Sequence, residues 1–171
     1  MPVLIEIKAR CPDPERVRSV LASAGARRVG LDHQVDTYYG VERGRLKLRR
    51  GNIENNLIYY QRADGKRPKR SDVSLYPSSD PDQLHDLLSQ AFGVWRTVDK
   101  KREIYFHENV KLHVDEVEHL GAFVEIEVIE DSDDADEEHM RAICRDWMLR
   151  LGVREQDLVA TSYSDLIGDE D

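Results

Sequence analysis

The stretch LIEIKARCPDP, residues 4–14, decides how the chain is read. Val3, Ile5, Ile7 and Ala9 alternate with Leu4, Glu6, Lys8 and Arg10, the period-two pattern of a strand with two unlike faces. One face is apolar. The other sets a carboxylate, an ammonium and a guanidinium in a row. A solvated sheet face accounts for one such strand, so the pattern must be followed along the chain.

It recurs. In RLKLR (45–49), Arg45, Lys47 and Arg49 oppose Leu46 and Leu48, and in DKKREIYF (99–106), Lys100 and Arg102 share a face. KLHVDEV (111–117) sets Lys111, His113 and Asp115 against Leu112 and Val114, and FVEIEVI (123–129) sets Glu125 and Glu127 against Val124, Ile126 and Val128. The signs are segregated: one strand is purely basic, another purely acidic. Like charges in a row repel, so they persist in water or opposite a counter-charge. Closing these strands into a barrel with the charged rows inside gives one acidic and one basic wall. Carboxylates two residues apart on one face can share a hard cation such as Mg²⁺ or Mn²⁺. Lysines and arginines opposite them can grip a polyanion. A polyphosphate bridged to a metal matches both walls.

The rest of the chain reads as connections for such a sheet. PDPERVRSVLASAGA predicts a helix ending at Gly25, and SSDPDQLHDLLSQAFG a second with Leu84, Leu87, Leu88 and Ala91 on one face. A third spans about 134–151, with Met140, Ile143, Cys144, Trp147, Met148 and Leu151 at helical spacing, and the tail TSYSDLI predicts a short turn. Strands are expected around QVDTYYGV, on both sides of the polar turn GNIENN, at SDVSLY, and along VWRTVDKKREIYF, VKLHVDEV and AFVEIEVI. With about eight strands, three helices and mostly hairpin connections, antiparallel pairing is favoured.

The 171 residues fit one domain, 1–171, with room for a hydrophobic core. The net charge of −9 argues against a general binder of nucleic acid or anionic membranes, yet leaves room for a local basic pocket. No apolar run reaches the length of a membrane span. Cys11 and Cys144, without CxxC spacing, read as reduced, packed thiols of a cytoplasmic protein.

Taken in order, LIEIK (4–8), RLKLR, LIYYQR (57–62), PKRSD (68–72), KKREIYF, VKLHVDEVEHLGAFVEIE and the terminal SY (162–163) resemble the CYTH superfamily, the triphosphate tunnel metalloenzymes. That group includes class IV adenylate cyclases, thiamine triphosphatases and inorganic triphosphatases, and the chain looks closest to the cyclase branch. The resemblance implies an α+β fold, an antiparallel eight-stranded tunnel with helices packed outside, binding a triphosphate with Mg²⁺ or Mn²⁺. Carried over by position, Glu6, Glu125, Glu127 and Asp115 are the metal-side carboxylates. Lys8, Lys47, Arg49, Lys100 and Arg102 hold phosphates, with Arg45 and Arg62 extending that set, and Lys8, Arg49, Lys100 and Arg102 are the catalytic candidates. The family's Glu-x-Glu-x-Lys strand is matched with Leu4 in place of its first Glu, which puts a second metal site in question. The implied partner is ATP, thiamine triphosphate or tripolyphosphate, and a homodimer is compatible with the resemblance.

Three functions therefore stay open. A cyclase converts ATP to cyclic AMP and pyrophosphate; a triphosphatase hydrolyses thiamine triphosphate, inorganic triphosphate or a nucleoside triphosphate; a binding module captures the triphosphate without turnover. Three other signals carry little. EDSDDADEE (130–138) lacks the glycine and glutamate of a calcium loop, and reads as acids leading into a helix N-terminus. His113 reads as a satisfied structural histidine, and GKRPKRS (65–71) as a basic loop.

Overall fold

The computed structural model describes residues 2–61, 65–132 and 134–168. Its strands are β1 (Val3–Arg10), β2 (Arg27–Tyr39), β3 (Arg45–Arg50), β4 (Asn55–Gln61), β5 (Lys69–Pro77), β6 (Val94–His107), β7 (Val110–Val117) and β8 (Gly121–Glu130). They close into one barrel in the order β1-β5-β4-β3-β2-β6-β7-β8, every pair antiparallel, with β8 returning to β1. The expected closed tunnel is the observed one. β1 lies against β8 with Glu6 opposite Glu127 and Lys8 opposite Glu125, so the mixed row of the first strand borders the acidic row.

Four helices pack around it: α1 (Pro14–Ser23), α2 (Pro81–Phe92), α3 (Glu137–Leu151) and α4 (Tyr163–Gly168). The first three begin at an aspartate whose side chain accepts a backbone N–H of the first turn: Asp13 from Arg16, Asp80 from Gln83 and Asp136 from His139. The acids before α3 are thus partly spent on its cap and first turn, where Glu137 and Glu138 also lie. None of the described helices is long and apolar enough to cross a membrane.

The barrel is apolar outside and charged inside. Val3, Ile5, Ile7 and Ala9 point outward with Leu112, Val114, Val124, Ile126 and Val128, under α1 and α3, which contribute Val17, Leu21, Met140, Cys144, Trp147 and Leu151. Burying each large aliphatic side chain there stabilises by about 1.5–3 kcal/mol, which offsets the cost of desolvating charges within. Cys11 and Cys144 are buried free thiols in that layer. A second cluster, Tyr38, Ile58, Tyr60, Val98, Val117, Phe123 and Tyr163, closes the end of the barrel beneath α4.

Two elements run longer than the sequence pattern indicates. β2 starts at Arg27, because pairing with β6 extends along its whole length despite a register shift between Arg28 and Gly30. β5 starts at Lys69, taking in residues read as loop, since Lys69 and Arg70 pair with Glu6 and Ile5.

A charged tunnel as the candidate functional site

The inward rows line a cavity with about 800 Å³ of empty space, part of it continuous with solvent. Glu6, Lys8, Lys47, Arg49, Lys100, Arg102, Glu125 and Glu127 all border it. Strand alternation alone brings them together: each occupies an inward position whose neighbours in sequence face out.

The basic wall is organised by a residue the sequence reading passed over, Asp36. Its carboxylate accepts two hydrogen bonds from Arg49, Nε to Oδ1 and a terminal nitrogen to Oδ2, both 2.9 Å. Lys100 Nζ donates to Oδ2 at 2.6 Å, and Lys47 Nζ stands 3.6 Å away. Asp36 and Lys100 are each 1% exposed. Burial alone would raise the Asp36 carboxyl, but Arg49, Lys100 and Lys47 outweigh it and hold the group well below the ordinary range. Burial also lowers Lys100, against Asp36 but reinforced by Arg49, Arg102 and Lys47, bringing it down to about 7. The β2 alternation Gln34, Asp36, Tyr38 against Val35, Thr37, Tyr39 was the available signal for Asp36.

The acidic wall lies on β1, β7 and β8. Ligand atoms of His113, Glu125 and Glu127 all lie within 4.8 Å of one another. Glu125 is bracketed by Arg102 at 3.3 Å, Lys8 at 3.5 Å and His113 Nδ1 at 3.3 Å. Burial would raise it, but Arg102 and Lys8 hold it well below its usual value. Glu127 goes the other way: burial, against Lys111 but reinforced by Glu6 and Glu125, pushes it up to about 7. Glu6 and Glu125 thus crowd Glu127 with like charge, and hard carboxylate oxygens gathered this way suit a divalent cation. His113 is fully buried, and burial with the Arg102 charge lowers it to about 3 against its bond to Glu125, leaving a neutral imidazole. It is less satisfied than expected: Nδ1 faces the glutamates, and Nε2 has no hydrogen-bond partner among the described residues.

Other expected members stand apart. Asp115 does not border the cavity. It receives both Arg102 Nε and a terminal nitrogen at 2.7 Å, and the Tyr163 hydroxyl at 2.8 Å. The structure makes Asp115 the anchor of Arg102 and separates it from the cluster of His113, Glu125 and Glu127. Arg102 in turn splits its donors between Asp115 and Glu125, so it braces the acidic wall as well as facing the cavity. Arg45 turns to Asp165 at 3.2 Å and lies over the Trp95 ring at 4.9 Å, away from the cavity lining. Arg62 lies outside the described residues.

Both ends of the tunnel are furnished. At one, Tyr163 packs on Phe123, and Lys8 Nζ sits 3.8 Å from the Tyr163 ring centroid. At the other, the β3–β4 turn folds inward: fully buried Asp32 accepts the N–H groups of Ile53 and Glu54, and Glu54 binds Lys111 at 2.6 Å. Burial would raise Glu54, but Lys111 and Arg49 draw it down to about 2. No local pattern in GNIENN announces this, since Glu54 and Lys111 lie 57 residues apart.

A curated relative from Methanocaldococcus jannaschii, provisionally named an adenylate cyclase, is 25% identical over 179 residues, covering 96% of this chain and 98% of its own. A solved structure of a Pyrococcus horikoshii OT3 protein superposes with a TM-score of 0.83 at 28% identity, covering 95% of this chain and 98% of the other. A Vibrio parahaemolyticus structure, also provisionally named an adenylate cyclase, shares the fold with a TM-score of 0.76 at 17% identity, covering 96% and 97%. The CYTH domain family model matches residues 4–163, nearly the whole of the barrel and its charged lining, and the chain belongs to the CYTH family, whose members act as adenylate cyclase-like or triphosphatase enzymes.

Proposed function

We propose that this protein is a divalent-metal-dependent enzyme acting on triphosphates, and that it converts ATP to cyclic AMP and pyrophosphate in the manner of class IV adenylate cyclases. The observation that carries the reading is the pairing of two walls across one cavity: Lys47, Arg49 and Lys100 gathered on Asp36, facing Glu6, Glu125 and Glu127. The name of the 25% identical relative favours the cyclase among the family's chemistries.

In this reading Lys47, Arg49 and Lys100 hold the β- and γ-phosphates, and Lys8 reaches the phosphate nearest Glu125. The ribose 3′-hydroxyl gives its proton to a water molecule and its oxygen attacks the α-phosphorus; the bond to the bridging oxygen breaks and pyrophosphate leaves with that electron pair. The cations meet the charge that grows on the leaving group, the kind of preorganised stabilisation that costs no reorganisation during reaction. Glu6, Glu125 and Glu127 would hold Mg²⁺ or Mn²⁺, which supplies Lewis-acid polarisation of phosphate oxygens.

Incubation with ATP, thiamine triphosphate and tripolyphosphate, with Mg²⁺ or Mn²⁺, tests this. Cyclic AMP with equimolar pyrophosphate is the expected result. Orthophosphate release identifies a triphosphatase, and tight binding without product a capture module; either one overturns the cyclase assignment.

Two further results are expected. Lys100, lowered to about 7, is largely neutral at about pH 8, and a phosphate anion beside it favours the charged form. Metal-free triphosphate binding at about pH 8 should therefore take up protons, read by calorimetry in two buffers of different ionisation enthalpy. Binding that takes up none would place the phosphates away from Lys100. Leu4 borders the cavity one inward position before Glu6, where a carboxylate would join the acidic wall. Leu4→Glu should tighten Mn²⁺ binding on the order of tenfold by adding a hard ligand. A lowered melting temperature with unchanged affinity would show that position 4 belongs to the apolar packing instead.

A further inference from the structure

Lys111 is a cation of the cavity lining that the phosphate assignment leaves unused, and Glu54 is an acid set among the cations. The two belong together. Lys111 Nζ donates to Glu54 Oε2 at 2.6 Å, and a terminal nitrogen of Arg49 stands 3.8 Å from the other carboxylate oxygen. On β7, Lys111 is directly opposite Glu127 of β8. The contacts therefore run from Arg49 on the basic wall, through Glu54 and Lys111, to the acidic wall. They form a bar across the end of the tunnel remote from Tyr163.

The turn that carries Glu54 is fixed from behind. Fully buried Asp32 accepts the N–H groups of Ile53 and Glu54, both at 2.9 Å, and Gln34 Nε2 at 2.8 Å. The same Gln34 nitrogen donates to Glu54 Oε1 at 3.1 Å. At Gly51 a Cβ would come within 2.7 Å of Asp32 Oδ1 and of the Glu54 carbonyl, so glycine is what lets the turn press this closely onto Asp32. Burying an aspartate is costly unless it is hydrogen-bonded, and here its bonds go to the turn and to the glutamine that steadies Glu54. The carboxylate is also charged at neutral pH: burial would raise it, but Lys111 and Arg49 draw it down to about 2.

A phosphate chain meets this bar as an obstacle. Phosphates held by Lys47, Arg49 and Lys100 bring the end of the chain up to the Arg49 guanidinium, beside Glu54. One more phosphate would face a fixed carboxylate, and would find the next cation, Lys111, already engaged. Like charges brought together in a partly desolvated site repel strongly, and repulsion of the wrong ligand discriminates as effectively as attraction of the right one. We propose that Glu54, braced by Lys111, is a length stop that fits the tunnel to chains of three phosphates and turns longer ones away. The proposal rests on the triphosphate reading and adds to it the residue that sets the chain length.

Titrating tripolyphosphate and tetrapolyphosphate into the metal-free protein at neutral pH, read by calorimetry, tests it. Charge alone favours the longer chain, so a plain basic site binds tetrapolyphosphate at least as tightly as tripolyphosphate. The parent protein should instead bind tetrapolyphosphate about tenfold more weakly. Glu54→Gln keeps the size of the side chain and an oxygen for Lys111 but removes the charge. It should raise tetrapolyphosphate affinity about tenfold and tripolyphosphate affinity less than about threefold, erasing the preference. Glu54→Asp keeps the charge and should keep a preference for the shorter chain. A melting curve verifies each fold. An unchanged affinity ratio in folded Glu54→Gln would show that Glu54 only neutralises Lys111 and Arg49. A parent protein that binds tetrapolyphosphate as tightly as tripolyphosphate would overturn the stop without any variant, and either result leaves the triphosphate site intact. If the parent protein binds neither chain, the triphosphate reading has failed and the stop falls with it.

Discussion

Asp36→Asn is expected to melt roughly 10 °C below the parent chain. The carboxylate is the common partner of Arg49, Lys100 and Lys47, and the amide that replaces it carries no charge to set against theirs. Breaking a buried pair by removing one partner costs about 3–5 kcal/mol, because the remaining charge stays desolvated. For a chain of this size each kcal/mol lowers the melting temperature by about 2–4 °C. Acidity should modulate the gap in a defined direction. The folded state holds Asp36 well below its usual value, so its contribution is full above the unfolded carboxyl value, about 4, and fades as pH falls through the folded one. Asp146→Asn is the control: its i,i+4 pair with Arg150 is solvent-exposed, and such pairs contribute less than about 1 kcal/mol. Tripolyphosphate should recover more of the melting temperature in Asp36→Asn than in the parent, since the ligand brings the missing negative charge. Equal melting temperatures for Asp36→Asn and Asp146→Asn would mean that the three cations do not depend on Asp36.

The same residue shows what the sequence can and cannot disclose. Rows such as Arg45-Lys47-Arg49 and Glu125-Glu127 announce themselves because alternation and sign are both local, and the structure turns Lys47, Arg49 and both glutamates inward together. From alternation and hairpin order follow about eight antiparallel strands, and the closed eight-stranded tunnel is what the resemblance to the CYTH family implies. Asp36 is a single acid among Val35, Thr37, Tyr38 and Tyr39, and nothing in its neighbourhood predicts three cations from β3 and β6. Glu54 is hidden for the same reason, its partner Lys111 lying across the barrel. Arg45 shows the converse. It shares a strand face with Lys47 and Arg49, yet it lies near the strand end, where α4 offers Asp165 and Trp95 offers its ring. Alternation assigns a face, but position along the barrel axis decides what a side chain meets there.

That distinction bears on the acidic wall, where the largest effect on turnover is expected. Glu125→Gln should lower metal-dependent turnover by on the order of a hundredfold or more, the scale on which removing a charged group from a preorganised site acts. Glu125 is the carboxylate that Arg102, Lys8 and His113 hold in place, and it stays ionised where Glu127, raised to about 7, is partly protonated near neutral pH. Of that pair it is therefore the more dependable source of negative charge for a divalent cation. The fold should survive the change better than it survives Asp36→Asn. Arg102 keeps its two bonds to Asp115, so no guanidinium is left buried without a carboxylate. Glu116 supplies the comparison, an exposed carboxylate on the opposite face of β7 whose change to Gln should leave turnover within about twofold. Raising Mn²⁺ should recover part of the Glu125→Gln activity, because a weakened ligand set can be offset by concentration, whereas an arginine lost from the phosphate side cannot be replaced that way. Turnover that survives excess chelator, or equal losses in Glu125→Gln and Glu116→Gln, would show that the charge of this wall serves the barrel and not the reaction.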